Sequence, residues 1–509
     1  MAEHGDRRIR SIAVVGGGTA GWLAAAMLAR ALGASRPAIT VIESAEIGTV
    51  GVGEATIPPI VDLIGFLGID LADFVRHTQA TYKLGIRFRD WRRIGETYWH
   101  PFGTFGSSLN RRPFHHCWHR ARAAGTALRL EDFSLCAALG EAGKFRFPEP
   151  RAQGPAAGLR YALHFDAGLV ARYLRAYAER CGVTRLERTV TAATRTPGGL
   201  LDELVFSDGS RLHADFFVDC SGFRGLLIEQ TLGTGYVGWQ DLLPCDRAVA
   251  LPTELAGPRP PFTEAHARAA GWHWRIPLQH RIGNGYVYAS RHLSDEEAVA
   301  DLRAAVGTAA GEPRLLRFTT GRRRLLWNGN CLALGLASGF LEPLESTSIH
   351  LVGSGLYHLL EHFPDRDFDP ANIAAYNARV IEELETIRDF IVLHYCLVQR
   401  EDTAFWRDCR SMALPESLRE RIGLYRGTGR IRVRAGELFT DLSWFYILEG
   451  LGVRPAACDP LLDGLSAGQL RGFLTPLAAA TAALVATAPT HDSYFPSGAA
   501  TERAPVAAQ

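Results

Sequence analysis

The sequence predicts an α/β fold that opens on a βαβ unit, continues through added sheet and ends in a mainly helical C-terminal region. Three observations predict it. A β-branched run, Ile9 to Val15, leads directly into a glycine turn and an Ala/Leu-rich stretch. Trp272, Trp274 and Ile276 alternate at period two, as on a strand. From Ile349 onward the apolar spacing turns helical.

The elements follow in order. Ile9 to Val15 is a strand, Trp22 to Leu32 a helix, and Ala38 to Ile42 a second strand ended by Glu43. Residues 83–105 mix aromatic and charged types with turn formers, the pattern of strands and loops around a site. Asp166 to Cys181 has helical spacing. Residues 185–219 read as a hairpin turning at Gly198-Gly199, then a buried strand, Asp215 to Asp219. Residues 245–291 return to sheet. Long helices are expected at 370–400 and 465–487, and a disordered Ala/Pro/Thr-rich tail from about Thr487. The chain divides into four regions: 1–110, 111–350, 351–490 and a tail at 491–509.

Composition narrows the function classes. The chain has 509 residues, 47% hydrophobic and 21% charged, with a formal charge of +1. Such a chain can bury a large cofactor. Its charge gives no footprint for nucleic acid or an anionic membrane. No run of 18 apolar residues and no secretory leader is evident, so a cytoplasmic protein without a membrane span is expected. The nine cysteines form no CxxC pair. Reduced, mostly buried thiols are expected, and no metal site.

Gly16-x-Gly18-x-x-Gly21 stands between the first strand and the first helix. Its first glycine permits a tight turn, its second a close pyrophosphate, its third close packing of helix on strand. Thr19 and Ala20 sit at the helix N-terminus that would face the phosphates. Glu43 lies 22 residues past Gly21 at the end of the second strand, placed for ribose hydroxyls. Together these features point to a dinucleotide. Two further apolar strands that break into small-residue turns, Asp215 to Gly222 and Leu332 to Gly339, favour FAD over NAD.

Five segments carry a resemblance to a known family: Gly16–Trp22 (GGGTAGW), Val50–Pro58 (VGVGEATIP), Val218–Leu227 (VDCSGFRGLL), Trp272–Pro277 (WHWRIP) and Leu341–Ser348 (LEPLESTS). Over about residues 9 to 490 the chain resembles the flavin-dependent tryptophan or indole halogenases. The resemblance implies a FAD-binding Rossmann-like fold of the GR2-type flavoprotein monooxygenases, with added sheet and a helical C-terminal substrate region. It implies use of FADH2, O2 and chloride or bromide to make a hypohalous species, which crosses the protein to a separate aromatic substrate. A separate NAD(P)H-dependent flavin reductase would supply FADH2. A homodimer follows only from analogy with the family.

Lys83 matches the family's essential lysine and is one of few lysines in an arginine-rich chain. A desolvated amine can act as a nucleophile or polarise hypohalous acid through a hydrogen bond. Glu345 would orient the halogenating species or take the ring proton, with Ser346 beside it. Thr347 and Ser348 would bind halide. Ser348 departs from the glycine usual in the family, which bears on the local turn. Ala55, Val190, Leu336 and Ile349 are expected to contact FAD. Trp272 and Trp274 would shield the flavin from organic substrate. His100 and Phe102 would sandwich a flat ring, with Trp444 to Tyr446 closing the pocket. Glu342 reads as structural.

The bland readings are a solvent-reaching strand lysine, a helix-dipole carboxylate, a satisfied core histidine and core tryptophans. The tyrosine pair of free-tryptophan halogenases is missing, which argues against free tryptophan and leaves free indoles, a larger indole compound or a peptide-borne tryptophan open. The rival enzyme is an aromatic hydroxylase, which would consume NAD(P)H within the single chain. A non-catalytic flavin-binding protein would most simply have lost Lys83 or Glu345.

Overall fold

The computed structural model describes residues 6–33, 37–44 and 53–495. A six-stranded sheet runs in the order Trp327–Asn328, Cys331–Ala333, Phe216–Asp219, Ser11–Val15, Ala38–Glu43, Thr184–Glu187. All neighbours are parallel except the Trp327–Asn328 edge. Val14 stands level with Val41 and Val218, and all three are fully buried. Such two-sided burial explains the unbroken apolar runs that marked these strands.

The helix Thr19–Leu32 is buried continuously from Gly21 to Ala29. It packs against the helices Ala167–Arg180 and Ser348–Glu361. Neighbours on several sides require small residues all round, which accounts for its alanines. Asp166 caps the Ala167–Arg180 helix by accepting from the Gly168 and Leu169 amides.

A seven-stranded sheet runs Arg314–Arg317, Arg247–Ala250, Ile282–Tyr288, Gly271–Pro277, Thr263–Arg268, Gly85–Arg89, Thr97–Pro101. It unites the WHWRIP strand with the strand that ends at His100. A third, small sheet places Gly53–Ala55 and Thr81–Lys83 on either side of Ala162–Asp166. The expected hairpin gains a third strand, Val190–Arg195, Leu201–Phe206 and Arg211–His213. The expected long helices form as Pro370–Cys396 and Ala467–Thr487. Asp369 caps the first of these, with Pro370 in its opening turn.

One sequence expectation is corrected. The tail is not disordered from Thr487: residues His491–Tyr494 form a 3-10 turn, His491 is fully buried, and Phe495 packs into the core. Aromatic partners supply the driving force that composition alone hid. Residues 496–509 lie outside the described part. The helix Ala467–Thr487 is long and apolar enough to cross a membrane by length and composition. Its few threonines and its proline broke the apolar run on which the sequence reading relied. It buries Leu470, Leu474 and Thr481 and packs against Phe114–Ala123 and Leu135–Glu141. Five of the nine cysteines, Cys117, Cys136, Cys245, Cys331 and Cys409, are buried.

Candidate active site

Lys83 ends the short strand Thr81–Lys83, whose three residues are all buried. Its side chain has no solvent exposure. Nζ donates to the Thr56 carbonyl at 2.9 Å and to Ser346 Oγ at 2.8 Å, and it stands 5.2 Å from the centre of the Phe102 ring. Burial pulls the amine down to about 7, while the nearby Glu345 charge acts in the opposite sense. The strand is held from below as well. Thr81 Oγ donates to the Pro277 carbonyl at 2.6 Å and accepts from His164 Nδ1 at 3.1 Å.

The LEPLESTS segment meets this amine through a strained turn. Pro343–Glu345 is a 3-10 turn ended by Ser346 at φ 59° and ψ 37°. A left-handed non-glycine residue costs about 1–2 kcal/mol. Here it aims the serine hydroxyl at Lys83. Thr347 is buried, and Ser348 begins the helix Ser348–Glu361. The positive φ therefore falls on Ser346, and Ser348 occupies an ordinary helical position that needs no glycine.

Glu345 is 1% exposed. Its Oε2 accepts from His100 Nδ1 at 2.6 Å. His394 Nε2 lies 2.8 Å from Oε1 but off the line of a hydrogen bond. Burial raises the carboxyl, yet the two imidazoles outweigh it and hold the group below the usual carboxylate range. His394 is itself lowered by burial, and its Nδ1 lies 3.2 Å from the Tyr98 hydroxyl. The sequence reading missed His394. Its only signal was a polar residue inside the apolar run Phe390 to Tyr395.

Phe390 and Phe439 stack 3.8 Å apart beside His100, whose ring lies 5.4 and 5.9 Å from theirs. Trp444 meets Phe390 edge-on at 4.9 Å. Phe445 and Tyr446 instead contact Phe105. Trp272 and Trp274 are buried with ring centres 6.3 Å apart. Trp272 Nε1 donates to Glu342 Oε2 at 3.0 Å, which also accepts from the Tyr395 hydroxyl at 2.5 Å.

The nucleotide end fits a dinucleotide. Gly16 has φ 121°, and a Cβ there would fall 2.2 Å from the Cys220 carbonyl oxygen. A Cβ on Gly21 would fall 1.8 Å from the Gly16 oxygen, whereas one on Gly18 would meet nothing within 4 Å. The turn is thus closed where helix meets strand and open where a pyrophosphate would approach. A cavity of about 420 Å³ is lined by Gly17, Trp22, Glu43, Asp166 and Arg175, among others. Glu43 Oε2 accepts from Trp22 Nε1 at 3.2 Å, and Arg185 pairs with its other oxygen.

Thr19 and Ile349 line a small apolar cleft together. Ala20 packs at the same helix N-terminus, its methyl 2.9 Å from where a Gly335 Cβ would stand. Leu336 sits in the 3-10 turn Gly335–Ala337. Ala55 pairs with His164 in the small sheet. Val190 packs on the cluster containing Val15 and Ile42. Within the VGVGEATIP motif, Val50 to Val52 lie outside the described residues.

The family profile described as tryptophan halogenase matches residues 11–467. The chain belongs to that family. The halogenase is 38% identical over 518 residues to Tryptophan 6-halogenase SttH of Streptomyces toxytricini, spanning 95% of this chain and 97% of that protein. Two solved flavin-dependent halogenases share its fold, BrvH from Brevundimonas sp. BAL3 and Xcc4156 from Xanthomonas campestris. Each has a TM-score of 0.93 and 45% identity over 96% of this chain, covering 99% and 98% of theirs respectively. The halogenase is therefore a flavin-dependent enzyme whose family cofactor is FAD. The comparisons do not support the hydroxylase reading.

Proposed function

We propose that this halogenase uses reduced FAD, O2 and chloride or bromide to halogenate an indole-type ring, and that Lys83 and Glu345 carry the halogen transfer. When bound, FAD would supply the reducing equivalents that activate O2 to oxidise halide. The glycine turn, Thr19, Ala20 and Glu43 would hold its nucleotide end. Ala55, Val190, Leu336 and Ile349 would pack along the rest. Thr347 and Ser348 would hold halide at the helix N-terminus.

The observation that carries the reading is the buried contact of Lys83 Nζ with Ser346 Oγ, one residue from Glu345. A buried amine near 7 is partly unprotonated at neutral pH. It can attack a hypohalous acid at halogen, so that the N–halogen bond forms as the O–halogen bond breaks and hydroxide leaves as water with the amine proton, or it can hold the acid by a hydrogen bond. Ser346 keeps the amine aimed. Halogen then bonds to a ring carbon, and the Glu345 carboxylate takes the proton that leaves that carbon. His100 fixes the carboxylate. Its ring edge and Phe102 offer the aromatic surface for the substrate. Trp272, held by Glu342, and Trp274 form the wall that keeps organic substrate from the flavin.

The test is direct. Purified protein with FAD, a separate flavin reductase, NADH, O2 and bromide or chloride is given free and peptide-linked indoles. Mass spectrometry should show one added halogen, lost in Lys83→Ala with FAD binding intact. A hydroxylated product formed without halide would overturn the proposal. The same panel identifies the substrate. Size-exclusion chromatography with light scattering tests the expected homodimer.

A further inference from the structure

Strand Thr81–Lys83 lies at the edge of its sheet. It pairs with Ala162–Asp166 on one side only. Leu163 directs its carbonyl to the Thr56 amide rather than to Tyr82. The amides of Tyr82 and Leu84 therefore face the open edge, where buried donors need partners. Leu84 finds one directly, donating to the Pro261 carbonyl at 2.7 Å. Two residues back on that opposing segment is the Arg259 carbonyl. It does not meet Tyr82 itself. The His491 ring stands between them, accepting the Tyr82 amide at Nε2 (3.2 Å) and donating from Nδ1 to the Arg259 carbonyl at 2.7 Å.

This pair of partners fixes the tautomer. A carbonyl can only accept, so Nδ1 carries the proton, and an amide can only donate, so Nε2 carries the lone pair. His491 is fully buried. Its own segment is pinned independently: the His491 amide donates to the Gly143 carbonyl at 2.9 Å, and Asp492 pairs with Arg259 at 2.8 Å. Tyr82 meanwhile stacks on Phe145 at 4.4 Å and on Phe495 at 5.6 Å. The bond at Tyr82 is therefore made by a rigid group to the residue just before the reactive lysine.

We infer that His491 is a positioning residue for Lys83: its neutral imidazole replaces a missing backbone rung on the edge of the lysine strand, so that the segment His491–Phe495 sets where Nζ stands. This rests on the proposed role of Lys83. A rung whose loss lets Nζ drift by an ångström would leave the cofactor chemistry running while oxidant is wasted.

The test compares His491→Leu, His491→Gln and Lys83→Met in the FAD-loaded enzyme. The readouts are halogenated product per FADH2 supplied, FAD affinity and amide hydrogen exchange of residues 80–84. Leucine fills the space without either bond; glutamine can accept and donate in their place. In His491→Leu, product per FADH2 should fall about tenfold or more with FAD affinity unchanged, while His491→Gln keeps most of it. Full coupling in His491→Leu, or equal loss in both variants, overturns the inference. If His491→Leu does not fold, wild-type exchange decides: slow Tyr82 and Leu84 amides support the rung, and exchange at the rate of a free edge refutes it. Wild-type activity in Lys83→Met would overturn both readings. An inactive Lys83→Met beside a fully coupled His491→Leu would overturn this one alone.

Discussion

His100 Nδ1 donates to Glu345 Oε2 across 2.6 Å with both side chains buried. A carboxylate so held cannot rotate freely, and it keeps its charge because the imidazoles oppose the effect of burial. Glu345→Gln preserves shape and an acceptor oxygen but removes the charge and the proton-accepting capacity. Halogenation should slow by more than about tenfold, the scale of a general-base contribution, with FAD affinity unchanged. Single-turnover kinetics with preformed FADH2 measures it. Unchanged turnover would take Glu345 out of the chemistry.

Lys83 yields a prediction about stability as well as rate. Its amine sits near 7 in the folded chain against an ordinary 10.5, because burial disfavours the charge. Between those values the unfolded chain holds a proton that the folded chain lacks. Unfolding therefore takes up a proton, and stability rises with pH across the window. Lys83→Met should flatten that slope while abolishing halogenation. Urea midpoints from pH 7 to 10 measure it. A slope that survives the substitution would mean that the amine is charged when folded.

Some of this architecture was legible in the chain and some was not, for physical reasons. The βαβ unit was legible because buried parallel strands need unbroken apolar runs and the turn between needs Gly16 and Gly21. Lys83 was legible through its match to the family's lysine, because on the residues alone a strand lysine reaching solvent was the stronger reading. His394 was not legible. A lone histidine in an apolar helix is usually core, and its nearness to Glu345 arises from a fold-back across 49 residues of helix and turn. His491 was hidden by its setting in Ala/Pro/Thr-rich chain, since composition says nothing of the aromatic cluster waiting around Tyr82. Glu342 read as structural, and the structure gives that reading content: one oxygen holds both Trp272 and Tyr395.

Glu342 supports a prediction of opposite sign. The carboxyl is fully buried, and its Oε1 has no hydrogen-bond partner among the described residues. Burial raises it from an ordinary 4.5 to about 7, against the pull of the Tyr395 and Trp272 hydrogen bonds. Between those values the folded chain keeps a proton that the unfolded chain has released, so stability falls as pH rises. Glu342→Gln can accept both bonds without ionising. It should match wild type at pH 4 and exceed it at pH 8 by up to about 3.4 kcal/mol, from 1.36 kcal/mol per pKa unit. Thermal melts at the two pH values check this. Equal melting points at pH 8 would show that the carboxyl is ionised and solvated.

The glycine turn separates a folding role from a binding role. A methyl on Gly21 would stand 1.8 Å from the Gly16 oxygen, a backbone atom that cannot move aside without lifting the helix Thr19–Leu32 off its strand. Gly21→Ala should therefore lower both stability and FAD affinity. A methyl on Gly18 meets nothing within 4 Å, so Gly18→Ala should melt as wild type does. Under the proposed cofactor placement its methyl would project where a pyrophosphate approaches the backbone, and FAD affinity should fall about tenfold or more, by at least 1.4 kcal/mol. Fluorescence titration with FAD beside a thermal melt separates the two. Gly18→Ala binding FAD as tightly as wild type would mean that the phosphates lie elsewhere along the turn.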